Sequence, residues 1–575
     1  MANYRADLED VEFNLFDMLQ IHENKYGLDR NSLRDILHQF EKFVRLEIFP
    51  TRATSDRDGL KYNNGEVISP EYIKNLHAKY YENGWFALGQ PEEFGGMEVP
   101  ESLSIACLSL ATGANTAYMM YPGLSKGAMN VIRLKGNDWM KKNLIPPMME
   151  GKWGGTMCLT EAGAGSDVGA LRTTATPSSD GTFSIKGTKI FISSGEVDFN
   201  QNTIHLVLAR TPKGGEGTKG ISLFVVPKIW VDENGKLTKN NDVFCSKIEE
   251  KMGIHASATC ELQFGAKGEC RGYLIGEEFQ GMSTMFIMMN EARLLCGLQG
   301  ESQGNLAFEL ANNYAKERSQ FGQEINKHPD VRKMLLKMRA AARGMRALLL
   351  YTGKQFESEK AGQNVQDIIG LLTPVCKAYF TEQGLQLATD AVQVHGGYGF
   401  CSEYEVEQFI RDSVIGRIYE GTNGIQAVDF IMRKVLKDQG KAFSKILGSL
   451  STDLGNLTTK MPEEIKLVFE VADKIQFLVK YFLEKFSQKD QNYVLTHAQD
   501  FLMLSSYLII SWQLGLHATK AMSELSVDST GSERKKYLET KLVDFQIYVQ
   551  HYLTHAMGMA KTIEIGKCDL LSCSL

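Results

Sequence analysis

The stretch Leu159-Thr160-Glu161-Ala162-Gly163-Ala164-Gly165-Ser166-Asp167 stands where the texture of the chain changes. Before it, apolar residues recur at helical spacing. Leu33, Ile36, Leu37, Phe40 and Phe43 form one stripe, and a further helical pattern runs from Leu103 to Leu134. After it come short runs of β-branched and aromatic residues, among them Phe183-Ser184-Ile185, Lys189-Ile190-Phe191-Ile192, Ile204 to Leu208 and Ile221 to Val226. Gly, Asn, Asp and Pro separate these runs, so the residues from about Gly151 to Gly276 read as a small antiparallel β domain. The stretch itself reads two ways. Its small residues let a backbone approach a flat or anionic ligand, with Thr160 and Ser166 as hydroxyl donors on either side. It also fits a plain glycine-rich turn at the entry to a β domain.

Helical periodicity returns beyond Gly276. Leu306, Leu310, Ala311 and Tyr314 make one stripe, and Val331, Met334, Leu335, Met338, Met345, Leu348 and Leu349 another. A third helix is expected from about Pro374 to Val394 and a fourth after Gly424, which suggests a bundle. From about residue 441 the pattern is amphipathic helix joined by polar turns, with no chemical motif. The expected fold class is α+β, mainly α. Its parts are an N-terminal extension (1–34), an N-terminal helical domain (35–152), a middle antiparallel β domain (153–276), a four-helix bundle (277–440) and an additional C-terminal helical domain (441–575).

Composition narrows the function. The 575 residues are too many for one hydrophobic core. A net charge of −6 gives no footprint for nucleic acid. The ten cysteines are scattered without metal-ligand spacing, so no metal is expected and reduced thiols are. Met1 to Asp7 carries no signal pattern. The most apolar late stretch, Phe501 to Leu516, is interrupted by Ser505, Ser506, Ser511 and Gln513 and is shorter than the roughly 20 residues of a spanning helix. It reads as a buried helix, with peripheral membrane contact the lesser alternative. The basic residues Arg332, Lys333, Lys337, Arg339, Arg343 and Arg346 lie opposite an apolar stripe and read as a solvated or ion-paired face.

Three further motifs could carry chemistry. Gln393-Val394-His395-Gly396-Gly397 ends a helix, and its glycines leave room for a cofactor, while His395 reads as a structural hydrogen-bonding residue. In Glu317-Arg318-Ser319-Gln320-Phe321-Gly322, Arg318 can pair with a phosphate and Phe321 stack on a ring, or the segment is a polar helix end. Ile418-Tyr419-Glu420-Gly421-Thr422-Asn423-Gly424 places a carboxylate in a Gly-flanked turn, where desolvation would raise its pKa towards that of a working base. Thr422 or Asn423 would cap the helix that follows.

In this order and spacing the motifs resemble the acyl-CoA dehydrogenase family over residues ~35 to ~440. Gly84-Trp85-Phe86 to Gly96 looks like its N-terminal domain, and Leu274-Ile275-Gly276-Glu277-Glu278 like its β-to-bundle junction. Tyr4, Ala6, Asp10 and Phe13, with the added C-terminal region, resemble a subgroup that includes bacterial long-chain and 3-methylmercaptopropionyl-CoA dehydrogenases. The resemblance implies an FAD enzyme that converts an acyl-CoA to the trans-2-enoyl-CoA and passes electrons to an electron-transfer flavoprotein. It implies Met157, Leu159, Thr160, Gly165, Ser166, Phe191 and Ser193 against the flavin. It implies Arg318, Phe321, Gln393, Gly396 and Gly397 reaching the FAD of a neighbouring subunit, hence a homodimer or higher homo-oligomer. Thr422 and Asn423 would contact FAD; Ser166, Asn290 and Arg293 would touch CoA; Tyr419 and Gly421 would border the thioester. A bacterial, cytoplasmic protein without a transmembrane segment is expected.

The sequence departs from the family at Ala162, where Pro is frequent, at Asn290, where Asp is common, and at Gly424, where many members have Gln. None of these removes a group the chemistry requires. Glu420 is the base that the resemblance implies. Some relatives place the base directly before the CoA-contacting Arg, where this chain has Ala292; Glu291 is one step off, rotated by about 100° on a helix. An acyl-CoA oxidase and a catalytically silent flavin- or acyl-CoA-binding protein remain as alternatives.

Overall fold

The β-branched and aromatic runs of the middle region assemble into an eight-stranded sheet. Its strands are β1 (Trp153–Cys158), β2 (Thr174–Pro177), β3 (Phe183–Ser193), β4 (Asn202–Arg210), β5 (Ile221–Pro227), β6 (Val243–Ile248), β7 (Thr259–Phe264) and β8 (Arg271–Leu274). The spatial order is β6-β7-β3-β8-β5-β4-β1, with β2 beside β3 and β4. β5 is buried throughout and β4 nearly so, as strands paired on both sides in mid-sheet should be. The expectation of an antiparallel sheet needs correction at β4: β1 runs parallel to it from Trp153↔Asn202 to Cys158↔Val207, and β2 meets it in parallel at Thr174↔Arg210. Between β1 and β4 the chain makes a long excursion through loop 159–173, β2 and β3, and that crossover is what parallel pairing requires.

This computed structural model describes residues 4, 6–527, 531–566 and 570–574, without the side chains of 286–290 and 571. The chain forms two units. The sheet belongs to the one made of Gln39–Val99 and Ala114–Ala292. The other comprises Met1–His38, Pro100–Gly113 and Arg293–Leu575.

The principal helices are α1 (Glu101–Ala114), α2 (Thr116–Lys135), α3 (Gly281–Glu317), α4 (Pro329–Lys360), α5 (Gln366–His395), α6 (Asn423–Asp429), α7 (Pro462–Ser487), α8 (Ala498–Leu525), α9 (Ser532–Tyr548) and α10 (Thr554–Ile565). The single helical run expected from Leu103 to Leu134 is broken at Asn115. That residue leaves helical geometry (φ −156°) to cap α2 by accepting from Tyr118 N–H at 3.0 Å. α5 begins at Gln366, eight residues before Pro374, which the helix carries inside. α3 and α5 touch backbone to backbone: a Cβ on Gly300 would lie 2.3 Å from Phe380 O, and one on Gly384 2.1 Å from Gly300 O.

α8 is longer than the apolar stretch that announced it. By length and composition it could cross a membrane, but 83% of its most apolar window is buried inside the protein. Its serines fit that interior because Ser505, Ser506 and Ser511 donate to the carbonyls four residues back at 2.7, 2.7 and 2.9 Å.

Residues 6–18 are sewn into the same unit by buried charge. Asp7 pairs with Arg343 at 2.8 Å and Asp10 with Arg346 at 2.7 Å and with Lys541. Asp544 takes Arg343 at 2.9 Å and Arg339 at 2.6 Å. The inner half of the basic face of α4 is therefore ion-paired, to the N-terminal segment and to α9.

Candidate active site

On the sheet, the Gly-rich loop is tied at both ends. Glu161 and Ala164 exchange backbone hydrogen bonds at 3.2 and 3.0 Å and close a tight turn. The Glu161 carboxylate accepts from Arg172 N–H, Thr173 N–H and the Thr173 hydroxyl at 2.6, 3.0 and 2.7 Å. It also takes the buried Lys189 Nζ at 2.8 Å, and that ammonium donates on to Leu159 O at 3.0 Å. Thr160 O accepts from Ile190 N–H at 2.9 Å. Leu159 and Thr160 are thereby held beside the end of β3, which carries Phe191 and Ser193. Met157 lies just before them, partly buried on β1.

The end of β3 is irregular. Phe191 and Ser194 both sit at φ +59°, and the Phe191 ring is 59% exposed. Ser194 Oγ is buried without a hydrogen-bond partner. Gly165 and Ser166 are exposed, and a Cβ on Gly163 or Gly165 would meet nothing within 4 Å. An exposed ring, an open loop tip and an unbonded buried hydroxyl suit a planar ligand with polar edges, as FAD is.

In the other unit, Tyr314, Arg318, His395, Gly396, Gly397 and Tyr398 border a depression of about 430 Å³. Gly396 closes α5 at φ +63° and donates to Gln393 O. The Arg318 guanidinium lies 5.6 Å over Tyr398, and Phe321 is 94% exposed at φ +52°. His395 is structural: its Nδ1 bonds Ala391 O at 2.7 Å, it stacks on Tyr314, and burial lowers its pKa. The cation, the glycine edge and the exposed Phe321 ring, which meets His328 edge-on at 5.8 Å, fit a nucleotide diphosphate.

Glu420 stands in a turn at φ +56°, followed by Gly421 at φ +81°. The left-handed region is unfavourable for a residue with a side chain and is sustained here by the surroundings. Gln426 Nε2 donates to the carbonyls of Glu420 and Gly421 at 3.4 and 3.3 Å. Thr422 caps α6, its hydroxyl accepting from Ile425 N–H at 3.2 Å. The Glu420 side chain is partly exposed, yet desolvation raises its pKa, opposed by the charges of Arg293 and Lys377. Among the described residues, neither its carboxylate nor its N–H makes a hydrogen bond.

Arg293 is buried, bonds Asp429 at 3.2 Å and keeps Nε without a partner. The Tyr419 hydroxyl donates to Gln299 Oε1. Asn423 is committed inward: its Oδ1 accepts from Lys377 at 2.7 Å and its Nδ2 donates to Glu382 at 2.9 Å. The rival carboxylate Glu291 is engaged by Asn130 at 3.3 Å. The Asn290 side chain lies outside the described residues.

Lys189, Lys377 and Gln299 were missed by sequence reasoning. The signal for the two lysines is a single cation inside an apolar run, Lys189-Ile190-Phe191-Ile192 and Val375-Cys376-Lys377-Ala378-Tyr379-Phe380. Gln299 carries no such signal.

Residues 31–152, 156–266 and 280–436 match the families described as acyl-CoA dehydrogenase N-terminal, middle and C-terminal domains. Residues 431–574 match the one described as acetyl-CoA dehydrogenase C-terminal like. The chain is 34% identical to 3-methylmercaptopropionyl-CoA dehydrogenase of Ruegeria pomeroyi over 100% of both chains. It is also 34% identical to the broad-specificity linear acyl-CoA dehydrogenase FadE5 of Mycobacterium tuberculosis over 99% of both. Its fold matches the acyl-CoA dehydrogenase of Bacillus anthracis complexed with FAD, with a TM-score of 0.75 and 23% identity over 94% of this chain and 89% of that one.

Proposed function

Because this chain belongs to the acyl-CoA dehydrogenase family of oxidoreductases, we propose that Glu420 is the base that removes the α-proton of an acyl-CoA thioester on the way to the trans-2-enoyl-CoA. The observation that carries the reading is the Glu420 turn: a desolvated carboxyl with a raised pKa, its N–H unbonded among the described residues, in the electrostatic range of Arg293. A free carboxylate is too weak a base for a thioester α-proton. The proton becomes accessible when the carbonyl oxygen accepts preorganised hydrogen bonds as enolate charge develops. The Glu420 N–H is one such donor. Burial of the carboxyl brings its pKa nearer the working pH, as a general base needs.

FAD, the family's cofactor, supplies the hydride acceptor when bound. The loop at Leu159–Ser166 and the end of β3 would hold its ring. The Arg318 and Gly396–Gly397 edge would hold the FAD of a second copy, so the working assembly is at least a homodimer. Arg293 and Ser166 would meet the CoA portion, and Tyr419 would border the thioester. Electrons would pass to an electron-transfer flavoprotein. The full-length relatives, one named for linear acyl-CoAs and the other for 3-methylmercaptopropionyl-CoA, support an unbranched acyl chain.

The test is an anaerobic absorbance titration with unbranched acyl-CoAs of graded length and 3-methylmercaptopropionyl-CoA. Bleaching of the flavin band by one chain class, absent in Glu420→Gln, is expected. A stable flavin spectrum that no acyl-CoA bleaches would overturn the reading.

A further inference from the structure

Lys377 has no exposed surface and sits in the middle of α5. A buried ammonium is strongly unfavourable unless something compensates it. Several other buried cations have carboxylates at hand: Lys189 has Glu161 at 2.8 Å, Lys541 has Asp10, and Arg293 has Asp429 at 3.2 Å. Lys377 makes no ion pair among the described residues. Its Nζ donates to the neutral Asn423, three residues beyond Glu420, and Asn423 is tied again to α5 through Thr381 at 3.1 Å and Glu382 at 2.9 Å.

Two cations, Arg293 and Lys377, act on Glu420. Arg293 faces it from α3 as the larger positive influence, and it shares the single carboxylate of Asp429 with Arg433. Cys296, also on α3, is an uncharged thiol, pushed up to about 12 by burial. Burial likewise keeps the neighbouring Tyr419 phenol protonated. Glu382 is paired with Arg417 at 3.0 Å, and Arg433 with Asp429 at 3.3 Å. Lys377 is the second cation acting on Glu420, and it makes no ion pair among the described residues.

We infer that Lys377 is a positioning residue for the base: through Asn423 it fastens the turn at 418–424 to α5, and it sets a buried positive charge beside that turn. This rests on Glu420 being the base.

The experiment compares Lys377→Gln, which keeps a donor to Asn423 and removes the charge, with Lys377→Arg, which keeps the charge. Lys377→Met serves where Lys377→Gln fails to fold. The readouts are the pH profile of kcat/KM and the pH dependence of α-hydrogen exchange from acyl-CoA into deuterated water. In the neutral variants the acidic limb of both profiles moves up by about one unit, costing about tenfold in rate below it, and in Lys377→Arg it stays with the wild type. Neutral variants that retain flavin and the native melting transition, with the acidic limb unmoved, would overturn the inference. Full α-hydrogen exchange in Glu420→Gln would instead sink the base assignment itself.

Discussion

Two clusters of buried charge lie in the same unit and are built on opposite rules. In the N-terminal clasp, Asp7, Asp10 and Asp544 meet Arg339, Arg343, Arg346 and Lys541 in direct pairs. Desolvation of Asp10 is outweighed by Lys541, Arg343 and Arg346, and its carboxyl is held well below the usual range. At the turn that carries the proposed base, Glu420 makes no direct pair, and desolvation wins. The charge that holds the N-terminal segment is directly paired; the carboxyl proposed to take a proton during turnover is not.

Breaking the unmatched side has the largest effect. Glu420→Gln lowers kcat/KM by about 10⁴-fold, with flavin retained and the melting temperature not lowered, since a desolvated carboxyl is removed. Steady-state assay beside a thermal melt checks both. Breaking the matched side does the reverse. Asp10→Ala strands Lys541 and Arg346 and destabilises the protein by about 3–5 kcal/mol in urea denaturation, while turnover per folded molecule is unchanged.

The pH dependence of melting sharpens the contrast. The folded-state pKa of Asp10 is depressed, so its contribution is complete above the ordinary aspartate value of 3.8 and is lost progressively as pH falls from there towards the depressed folded-state value. Glu301, buried and bonded to Ser109 at 2.5 Å, has the opposite sign: burial raises its pKa from 4.5 to about 7. Its contribution is complete below 4.5 and is lost as pH rises towards about 7. Glu301→Gln therefore flattens the melting profile across that window; an unchanged slope would contradict the assignment. The smallest effect belongs to the loop tether. Lys189→Met removes the bonds to Glu161 and Leu159 O and weakens FAD retention by about tenfold, measured by flavin release on dilution.

Tyr4, Ala6, Asp10 and Phe13 pointed to a subgroup before their purpose was visible. In the structure Asp10 carries the clasp, and Phe13 packs edge-on against His517 and Tyr537 at 5.2 and 5.7 Å. The helix and strand texture was legible because burial imposes a period on each element separately. The division of Leu103–Leu134 was less so: Asn115 looks like any polar residue until its amide is seen to cap α2. The parallel seating of β1 was hidden for a related reason, because strand direction depends on the path of the intervening chain and not on the strand's own residues.

The order and spacing of the motifs determined the family, and with it the expected base and cofactor, because a Gly-flanked carboxylate and a glycine loop are local arrangements of consecutive residues. Tertiary structure alone decided which buried charges are matched. Lys377 and Asn423 are 46 residues apart and Arg346 and Asp10 are 336, yet a charge buried at low dielectric is governed by whatever lies within a few ångströms of it in space, a distance that chain order does not record.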